Sequence, residues 1–221
     1  MDQQTAISQW QCHAEQLESI NVLPDGCRDL ILRIDADQQL VLIKTGLDNH
    51  HYQVNAQPGE RFYGIRFAAG CRIGLPSDGV KLLKKLYQVS EQPELIQQTL
   101  FEWQEIAVLP ADNLMNEFID SIQEGVPLKG ISGRSLRRRI AAVSGAAPSF
   151  WHGLYRARSV AKSLCQQQYS SDSEAAYHWG YADQSHLCRD MRRWFAQTPG
   201  GLRKQAAEYL PSLSATDAFY R

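Results

Sequence analysis

Residues 179–203 read WGYADQSHLCRDMRRWFAQTPGGLR, and this stretch decides the fold of the C-terminal half. Gly180 ends one helix-sized apolar pattern, and Asp183 is a suitable N-cap for a second helix. After the cap, apolar residues recur at i, i+4 and i+7, which marks one helix face made of Leu187, Met191 and Trp194. The opposite face is polar and carries Gln184, Ser185, Cys188, Arg189, Arg192 and Arg193. A short capped helix with this donor-rich face, placed after a glycine turn, is typical of the reading helix of a helix-turn-helix.

The chain contains this pattern twice. A shift of 51 residues superimposes four pairs of positions, namely Ser132 on Asp183, Leu136 on Leu187, Arg138 on Arg189 and Pro148 on Pro199. Such self-similarity indicates one structural unit used two times. Between the two copies, residues 148–168 begin with proline and continue with apolar residues at helical spacing. We therefore expect two helix-turn-helix units joined by one long helix.

These residues also resemble the DNA-binding domain of AraC-type transcription regulators. The resemblance covers residues 132–210 and implies an all-α domain with two helix-turn-helix units. The signature of its second reading helix is matched here by Gly180, Tyr181, Asp183, Ser185, Leu187, Arg189, Met191, Arg192, Phe195 and Thr198-Pro199. The function it implies is sequence-specific DNA binding through the major groove by the helix Asp183–Phe195, and in a second groove by Ser132–Val143.

The resemblance also implies which side chains contact DNA. The base-reading positions fall on Gln184, Ser185, Cys188 and Arg189 in the second unit, and on Arg134, Arg137 and Arg138 in the first. Glutamine can bond adenine and arginine can bond guanine with two hydrogen bonds each, while small side chains admit a thymine methyl. Phosphate contacts, which set register but not sequence, are assigned to Arg192, Arg193 and Arg203.

The two units differ before the reading helix. In the second unit Ser173 is expected to cap a scaffold helix that runs from Glu174 to Trp179. The matching stretch of the first unit, residues 122–129, contains Pro127, which is incompatible with an ordinary continuous helix. The first scaffold helix is therefore expected to be shortened or displaced. Two interpretations follow: the first unit docks electrostatically through residues 134–139, or it only braces the second.

The N-terminal half has the pattern of a β-rich domain. Short alternating or apolar runs at residues 10–14, 30–34, 40–43, 52–54 and 62–67 are separated by turn-forming residues. Three helices follow, one capped by Asp78, one from Pro93 to about Ile106, and one from Asp112 to Glu124. The expected fold class is α+β, with an N-terminal barrel or sandwich, trailing helices and a C-terminal all-α domain. This half of the chain also resembles the sensing domain of one AraC-type branch, and the matching residues are Pro24, Gly26, Gly64, Arg66 and Phe67. The resemblance implies a sensing or assembly role without a particular ligand.

The net charge also differs between the N-terminal and C-terminal parts of the chain. Residues 1–105 hold 9 Lys and Arg against 14 Asp and Glu, a net of −5, whereas residues 129–221 hold 14 against 6, a net of +8. A basic half joined to an acidic half suits a phosphate-binding module attached to a different one. The expected domains are a sensing domain at 1–105, a joining helix and linker at 106–128, a DNA-binding domain at 129–210 and a tail at 211–221.

Other function classes have weaker support. Five cysteines without a C-x-x-C pair disfavour disulfides and a zinc ribbon, and no catalytic or phosphate-loop arrangement is visible, so no enzyme activity, metal or cofactor is expected. His50 and His51 leave a metal site, and hence a metal-dependent enzyme, as a minor alternative. The main rival is a ligand-binding or protein-interaction module whose first helix-turn-helix is degraded and no longer reads DNA.

With no signal or membrane segment, we expect a cytoplasmic protein, nucleoid-associated when bound to double-stranded DNA. A small-molecule effector, RNA polymerase and a second copy in a homodimer are the further candidate partners.

Overall fold

The computed structural model describes residues 6–73, 79–109 and 113–214, and it confirms the α+β class. The strands are β1 (Ala6–His13), β2 (Glu18–Val22), β3 (Arg28–Ile34), β4 (Leu40–Lys44), β5 (Tyr52–Ala56), β6 (Arg61–Phe67), β7 (Arg72–Ile73) and β8 (Val108–Leu109). The helices are α1 (Gly79–Gln88), α2 (Pro93–Ala107), α3 (Asn113–Glu124), α4 (Gly133–Ser144), α5 (Pro148–Cys165), α6 (Asp172–His178), α7 (Gln184–Phe195), α8 (Pro199–Lys204) and α9 (Ala206–Ser214). Asp78, Asp112 and most of the predicted tail lie outside the described residues.

The N-terminal strands form two main antiparallel sheets. One has the order β1-β6-β3-β4, and the other pairs β2 with β5. In β3 the alternate residues Leu30, Leu32 and Ile34 are buried, as the period of two residues along a strand requires. β2, which lies outside the strand runs predicted from the sequence, forms the second sheet together with β5. The predicted β-rich N-terminal region, a barrel or sandwich followed by helices, is confirmed as a region of antiparallel sheets.

Gly64 permits a close approach within the larger sheet. Gly64 pairs with Trp10 across β1 and β6. A Cβ atom at this position would overlap the Trp10 indole, so only glycine leaves room for that ring. This steric requirement gives a physical reason for the glycine in the G-x-R-F run of β6.

Two hydrophobic cores divide the described chain. The first joins the inner face of the larger sheet to α1 and α2 through residues such as Leu32, Ile65, Leu86 and Leu100. We call β1–β8 with α1 and α2 the β unit, and α3–α9 the helical unit. The second core belongs mainly to the helical unit, and it includes the apolar stripe of α3, formed by Met115, Phe118, Ile119 and Ile122.

The β unit also contacts the helical core. Cys27 and Ala69 are buried in that second core, and Leu23 and Leu47 pack against it. Apolar surface shared in this way excludes water from the contact and favours one arrangement of the units. The division into a sensing domain, a linker and a DNA-binding domain stays a prediction.

Several features of the described residues concern other function classes. No described helix has the length and apolar composition needed to cross a membrane. Within residues 6–73, 79–109 and 113–214, no three His, Cys, Asp or Glu side chains are grouped as metal ligands would be. None of the five cysteines, all of which lie in the described part of the chain, forms a disulfide, and Cys27, Cys71 and Cys165 are buried. His50 contacts the side chain of its neighbour Asn49, at 2.5 Å.

Candidate nucleic-acid interface

The two predicted reading helices have the same construction. α4 and α7 are each 12 residues long, and their N-caps Ser132 and Asp183 accept hydrogen bonds from the backbone N–H three residues ahead. Both helices end on a left-handed residue, Gly145 with φ of 80° and Ala196 with φ of 57°. The two N-caps are 51 positions apart in the sequence, and so are the two left-handed end residues. The internal repeat predicted from the sequence is confirmed.

The helices that follow α4 and α7 also begin in the same way. Pro148 opens α5 and Pro199 opens α8, each in the first turn, where a missing backbone N–H costs nothing. α5 runs for 18 residues, and Trp151, Leu154, Ala157, Val160, Ala161 and Leu164 bury its inner face. This is the predicted connecting helix, which places one helix-turn-helix at each of its ends.

The second unit, α6 with α7, is a compact helix-turn-helix. Five residues separate the helices, and Gly180 within them has a φ of 67°, a left-handed conformation that favours glycine. Buried Leu187, Met191 and Trp194 anchor α7, as the apolar spacing predicts. The Tyr181 hydroxyl donates to the Asp190 carboxylate at 3.1 Å, and burial together with Asp190 raises the pKa of this hydroxyl.

The start of the scaffold helix corrects one prediction. α6 begins at Asp172 with Ser171 as its N-cap, rather than at Glu174 after Ser173. The Ser171 hydroxyl accepts from the Glu174 N–H at 3.1 Å, and the Glu174 carboxylate accepts from both the N–H and hydroxyl of Ser170. These bonds from Ser170 lower the pKa of the Glu174 carboxyl. The position of Glu174, three residues after Ser171, selects this cap.

The polar face of α7 is open to solvent. Gln184, Ser185, Arg189 and Arg192 are exposed, and Cys188 is half-buried between them and the core. Arg189 and Arg192 make no ion pair with any residue in the described part of the chain. Two guanidinium groups are therefore available on the exposed side of a helix whose other side is fixed in the core.

Other predicted contact residues already have partners. The Gln184 amide donates to Asp172 at 3.5 Å, and its oxygen accepts from the Ser173 hydroxyl at 3.4 Å. Arg203 also forms an ion pair with Asp172. Arg193 lies over the Trp194 ring, 5.0 Å from its centroid. Asp172 thus links the first residue of α7 to α8 and fixes their positions relative to α6.

The first unit departs from this arrangement as the sequence predicts. α3 ends at Glu124, and an eight-residue connection that contains Gly125 and Pro127 separates it from α4. Arg134, Arg137 and Arg138 on α4 are exposed, and none forms an ion pair with a described residue. The first scaffold helix is displaced toward the N-terminus, while the reading helix keeps its length and caps.

The β unit contacts the C-terminal ends of both reading helices. Arg28 donates to the Ser144 carbonyl at 2.6 Å and to the Cys71 carbonyl at 2.8 Å, and Arg72 donates to the Ala142 carbonyl at 3.3 Å. At α7, Asn49 accepts from Arg193 at 3.4 Å. These residues could not be predicted from the sequence, because no local pattern marks an arginine that binds the end of a distant helix.

Comparison with known proteins identifies the helical unit. Residues 129–205 match the family model described as a helix-turn-helix domain. The C-terminal segment is therefore a helix-turn-helix domain of the AraC/XylS type, as the sequence resemblance predicts. A search of curated proteins gives no match.

Among solved structures, the chain is similar to ToxT from Vibrio cholerae. The structure of unsaturated fatty acid-bound wild-type ToxT has a TM-score of 0.43 and 10% identity, with 98% of this chain and 99% of that chain covered. A second ToxT structure, at 1.65 Å resolution, has a TM-score of 0.39 and 9% identity, with 92% and 98% covered.

Proposed function

We propose that this protein is a sequence-specific DNA-binding transcription regulator whose main reading helix is α7. The observation that carries the proposal is the exposed donor-rich face of α7, which includes Arg189 and Arg192 and lies opposite a fully buried apolar face. Within a helix-turn-helix domain, this is the face that a major groove accepts. The proposal makes the protein a regulator rather than an enzyme.

The side chains of α7 suit distinct roles. We assign bidentate guanine contacts to Arg189 and adenine contacts to Gln184, with Ser185 and Cys188 close to thymine methyl groups. Gln184 would exchange its long hydrogen bonds with Asp172 and Ser173 for a base edge. For phosphate contacts we propose Arg192, Arg193 and Arg203. Arg203 would approach a phosphate while its ion pair with Asp172 keeps the guanidinium oriented.

For α4 we propose a mainly electrostatic role. Arg134, Arg137 and Arg138 present three exposed guanidinium groups on a well-capped helix, but the connection before it is longer than the turn of the second unit. Phosphate contacts tolerate a small displacement better than bidentate base contacts do, because they read charge rather than a donor pattern. If both helices dock, their N-termini should lie about 34 Å apart, one turn of DNA.

The proposed partners follow from this role. Double-stranded DNA is the primary one, and a small-molecule effector, RNA polymerase and a second copy of the chain are the additional ones. The proposed location is the cytoplasm, with association to the nucleoid when DNA is bound.

A selection from random duplexes followed by binding measurements tests the proposal. The full chain should enrich a defined sequence, and its affinity for that duplex should fall steeply with salt concentration. Arg189→Ala should cost about 1–3 kcal/mol at the selected site and relax the preference at one base pair. Arg192→Ala, on the same exposed face, is the matched variant and should weaken all duplexes by a similar factor.

Two outcomes count against parts of this proposal. If Arg189→Ala weakens random and selected duplexes equally, Arg189 contacts phosphate or supports the fold instead of reading a base. If the folded chain shows no salt-dependent duplex binding, the rival interpretation, an interaction module with a degraded helix-turn-helix, replaces the regulator.

A further inference from the structure

The β unit encloses a cavity of about 590 Å³ between its two sheets. Apolar side chains from both sheets line it, among them Ile20 and Val54 from the smaller sheet and Ile31, Ile43 and Phe62 from the larger one. Ile20, Ile43 and Val54 are still 36–40% exposed, so the sheets do not close over their own apolar faces. This volume is within the usual range for small-molecule sites, and the walls suit an apolar ligand body.

One part of the cavity wall is polar and acidic. Asp25, Asp29 and Asp48 contribute three carboxyl groups there, together with Arg66. The Arg66 guanidinium pairs with Asp25 at 3.0 Å and with Asp29 at 3.2 Å, and the Trp10 indole N–H donates to Asp29 at 3.1 Å. A single guanidinium thus serves two carboxylates, and the network fixes their positions.

Asp48 is the carboxyl group of the cavity wall that is not paired with Arg66. Tyr52 is its hydrogen-bond partner, the His50 side chain is nearby, and no described Lys or Arg forms an ion pair with it. Burial and then Asp25 raise the pKa of Asp48, whereas burial and the neighbouring carboxylates raise the pKa of Tyr52 to about 12. Both shifts have the sign expected in a negative local field.

The second guanidinium in the wall is already engaged. Arg158 of α5 is buried and donates to the Pro24 carbonyl at 3.0 Å and to the Ser212 carbonyl at 2.9 Å. An anionic ligand would therefore meet three carboxyl groups without an unengaged guanidinium. A cationic ligand would find in Asp48 a partly buried carboxylate with no Lys or Arg partner among the described residues.

We propose that this cavity binds a small organic cation, an amine or amidine carried on an apolar body, with Asp48 as its counter-ion. The apolar body contacts the aliphatic walls of both sheets, and the cationic group lies among Asp48, Asp25 and Tyr52. A charge-assisted hydrogen bond in a partly buried site is stronger than one in water, so the charged group supplies the selectivity.

The position of the cavity gives the bound cation a route to the DNA-binding half, a consequence that rests on the function proposed above. Arg158 and Ser212 line the cavity and belong to α5 and α9 of the helical unit. α5 connects the two helix-turn-helix units. A ligand that contacts Arg158 shifts the balance between arrangements of these helices by the difference in its affinity for them. DNA affinity should therefore change when the cavity is filled.

Isothermal titration calorimetry on the full chain without DNA tests the binding site. The probes are 2-phenylethylammonium, its neutral analogue 2-phenylethanol and the anion 3-phenylpropanoate. We expect the ammonium to bind at least tenfold more tightly than either analogue. Asp48→Asn, which keeps a hydrogen-bonding partner for Tyr52, should lose at least tenfold in affinity for the ammonium. Asp37→Asn, an exposed acidic position of the same β unit, should bind it like the wild type.

Three results would overturn the proposed cation site. They are equal binding of the three probes, an unchanged ammonium affinity in Asp48→Asn, and no binding of the ammonium at millimolar concentration. Urea denaturation of Asp48→Asn verifies that the fold is retained. Coupling is measured separately, as the ammonium-dependent change in affinity for the selected duplex, expected in the wild type and absent in Asp48→Asn. A wild-type affinity that the ammonium leaves unchanged overturns the coupling. If the chain binds the ammonium but no duplex, the regulator proposal fails while the cation site stands.

Discussion

Substituting Arg28 by methionine tests how firmly the β unit holds the first reading helix. Methionine keeps the unbranched stem but removes the guanidinium. The side chain loses its donor to Ser144 at the end of α4, at 2.6 Å, and its donor to Cys71 within the β unit, at 2.8 Å. Both acceptors are backbone carbonyls, and Ser144 is fully buried, so no water can easily replace the lost partner.

The expected loss follows from these two bonds. A hydrogen bond from a charged donor contributes about 1.5–3 kcal/mol, and a cation at a helix C-terminus adds about 0.3–1 kcal/mol. Arg28 is half-buried, so solvent offsets part of the sum. We expect Arg28→Met to lower the free energy of unfolding by about 2–4 kcal/mol, a large part of the 5–15 kcal/mol of an ordinary domain. With a urea slope of about 2 kcal/mol per molar, the midpoint should fall by about 1–2 M.

The assay is equilibrium urea denaturation followed by tryptophan fluorescence. Trp151 is a local reporter, because its indole N–H donates to the Ser144 hydroxyl at 3.1 Å. Arg72→Met is the matched control: Arg72 contacts the same helix end but is exposed, with one bond of 3.3 Å to Ala142, and should change stability by less than about 0.5 kcal/mol. If the two variants have the same midpoint, the contact of Arg28 with α4 does not stabilise the protein, and the reasoning is refuted.

Two further predictions use the internal repeat. Gly145→Ala should destabilise the protein by about 1 kcal/mol, because φ is 80° there and the new Cβ would lie 3.2 Å from the Arg28 guanidinium. Ala196 occupies the equivalent position of α7 with a φ of 57°, so Ala196→Gly should stabilise the protein by about 0.5–1 kcal/mol. Thermal unfolding of both variants checks this, and a shift of the same sign in each contradicts it. Asp183→Ala should cost about 1 kcal/mol and weaken duplex binding, because its carboxylate accepts from the His186 N–H at 2.6 Å. Asp183→Asn should restore most of both, and a loss equal to that of alanine would contradict the capping role.

The repeat could be predicted because its signals are local. A cap, a glycine turn, an apolar face and a proline at the start of the next helix all lie within about twenty residues of one another, and each constrains the backbone directly. The start of α6 was misplaced where that local information is ambiguous. Ser170, Ser171, Asp172 and Ser173 are all good N-caps, and the hydrogen bonds of Glu174 decide among them.

Long-range features could not be read from the sequence in this way. β2 is a five-residue strand with a mostly exposed pattern, and its pairing with β5 creates the second sheet and hence the cavity. Arg28 and Ser144 are 116 positions apart, and Arg158 and Pro24 are 134 apart. Such contacts depend on how two cores pack together, which a pattern within one helix or strand does not encode.

These long-range contacts bear on how the β unit can act on DNA binding. Among the described residues, the hydrogen bonds from the β unit to α4 and α7 fall in the last turns of these helices, at Ala142, Ser144 and Arg193. The base-reading residues proposed for α7, and the arginines proposed for electrostatic contacts on α4, lie in the first two turns of each helix, and a 12-residue helix extends about 18 Å at 1.5 Å per residue. The β unit therefore contacts the opposite ends of these helices from the residues proposed to contact DNA. Its influence on DNA affinity would then act through the relative position of α4 and α7, since α7 can form its proposed base contacts while α4 contacts the DNA only if the two helices are spaced to match the duplex.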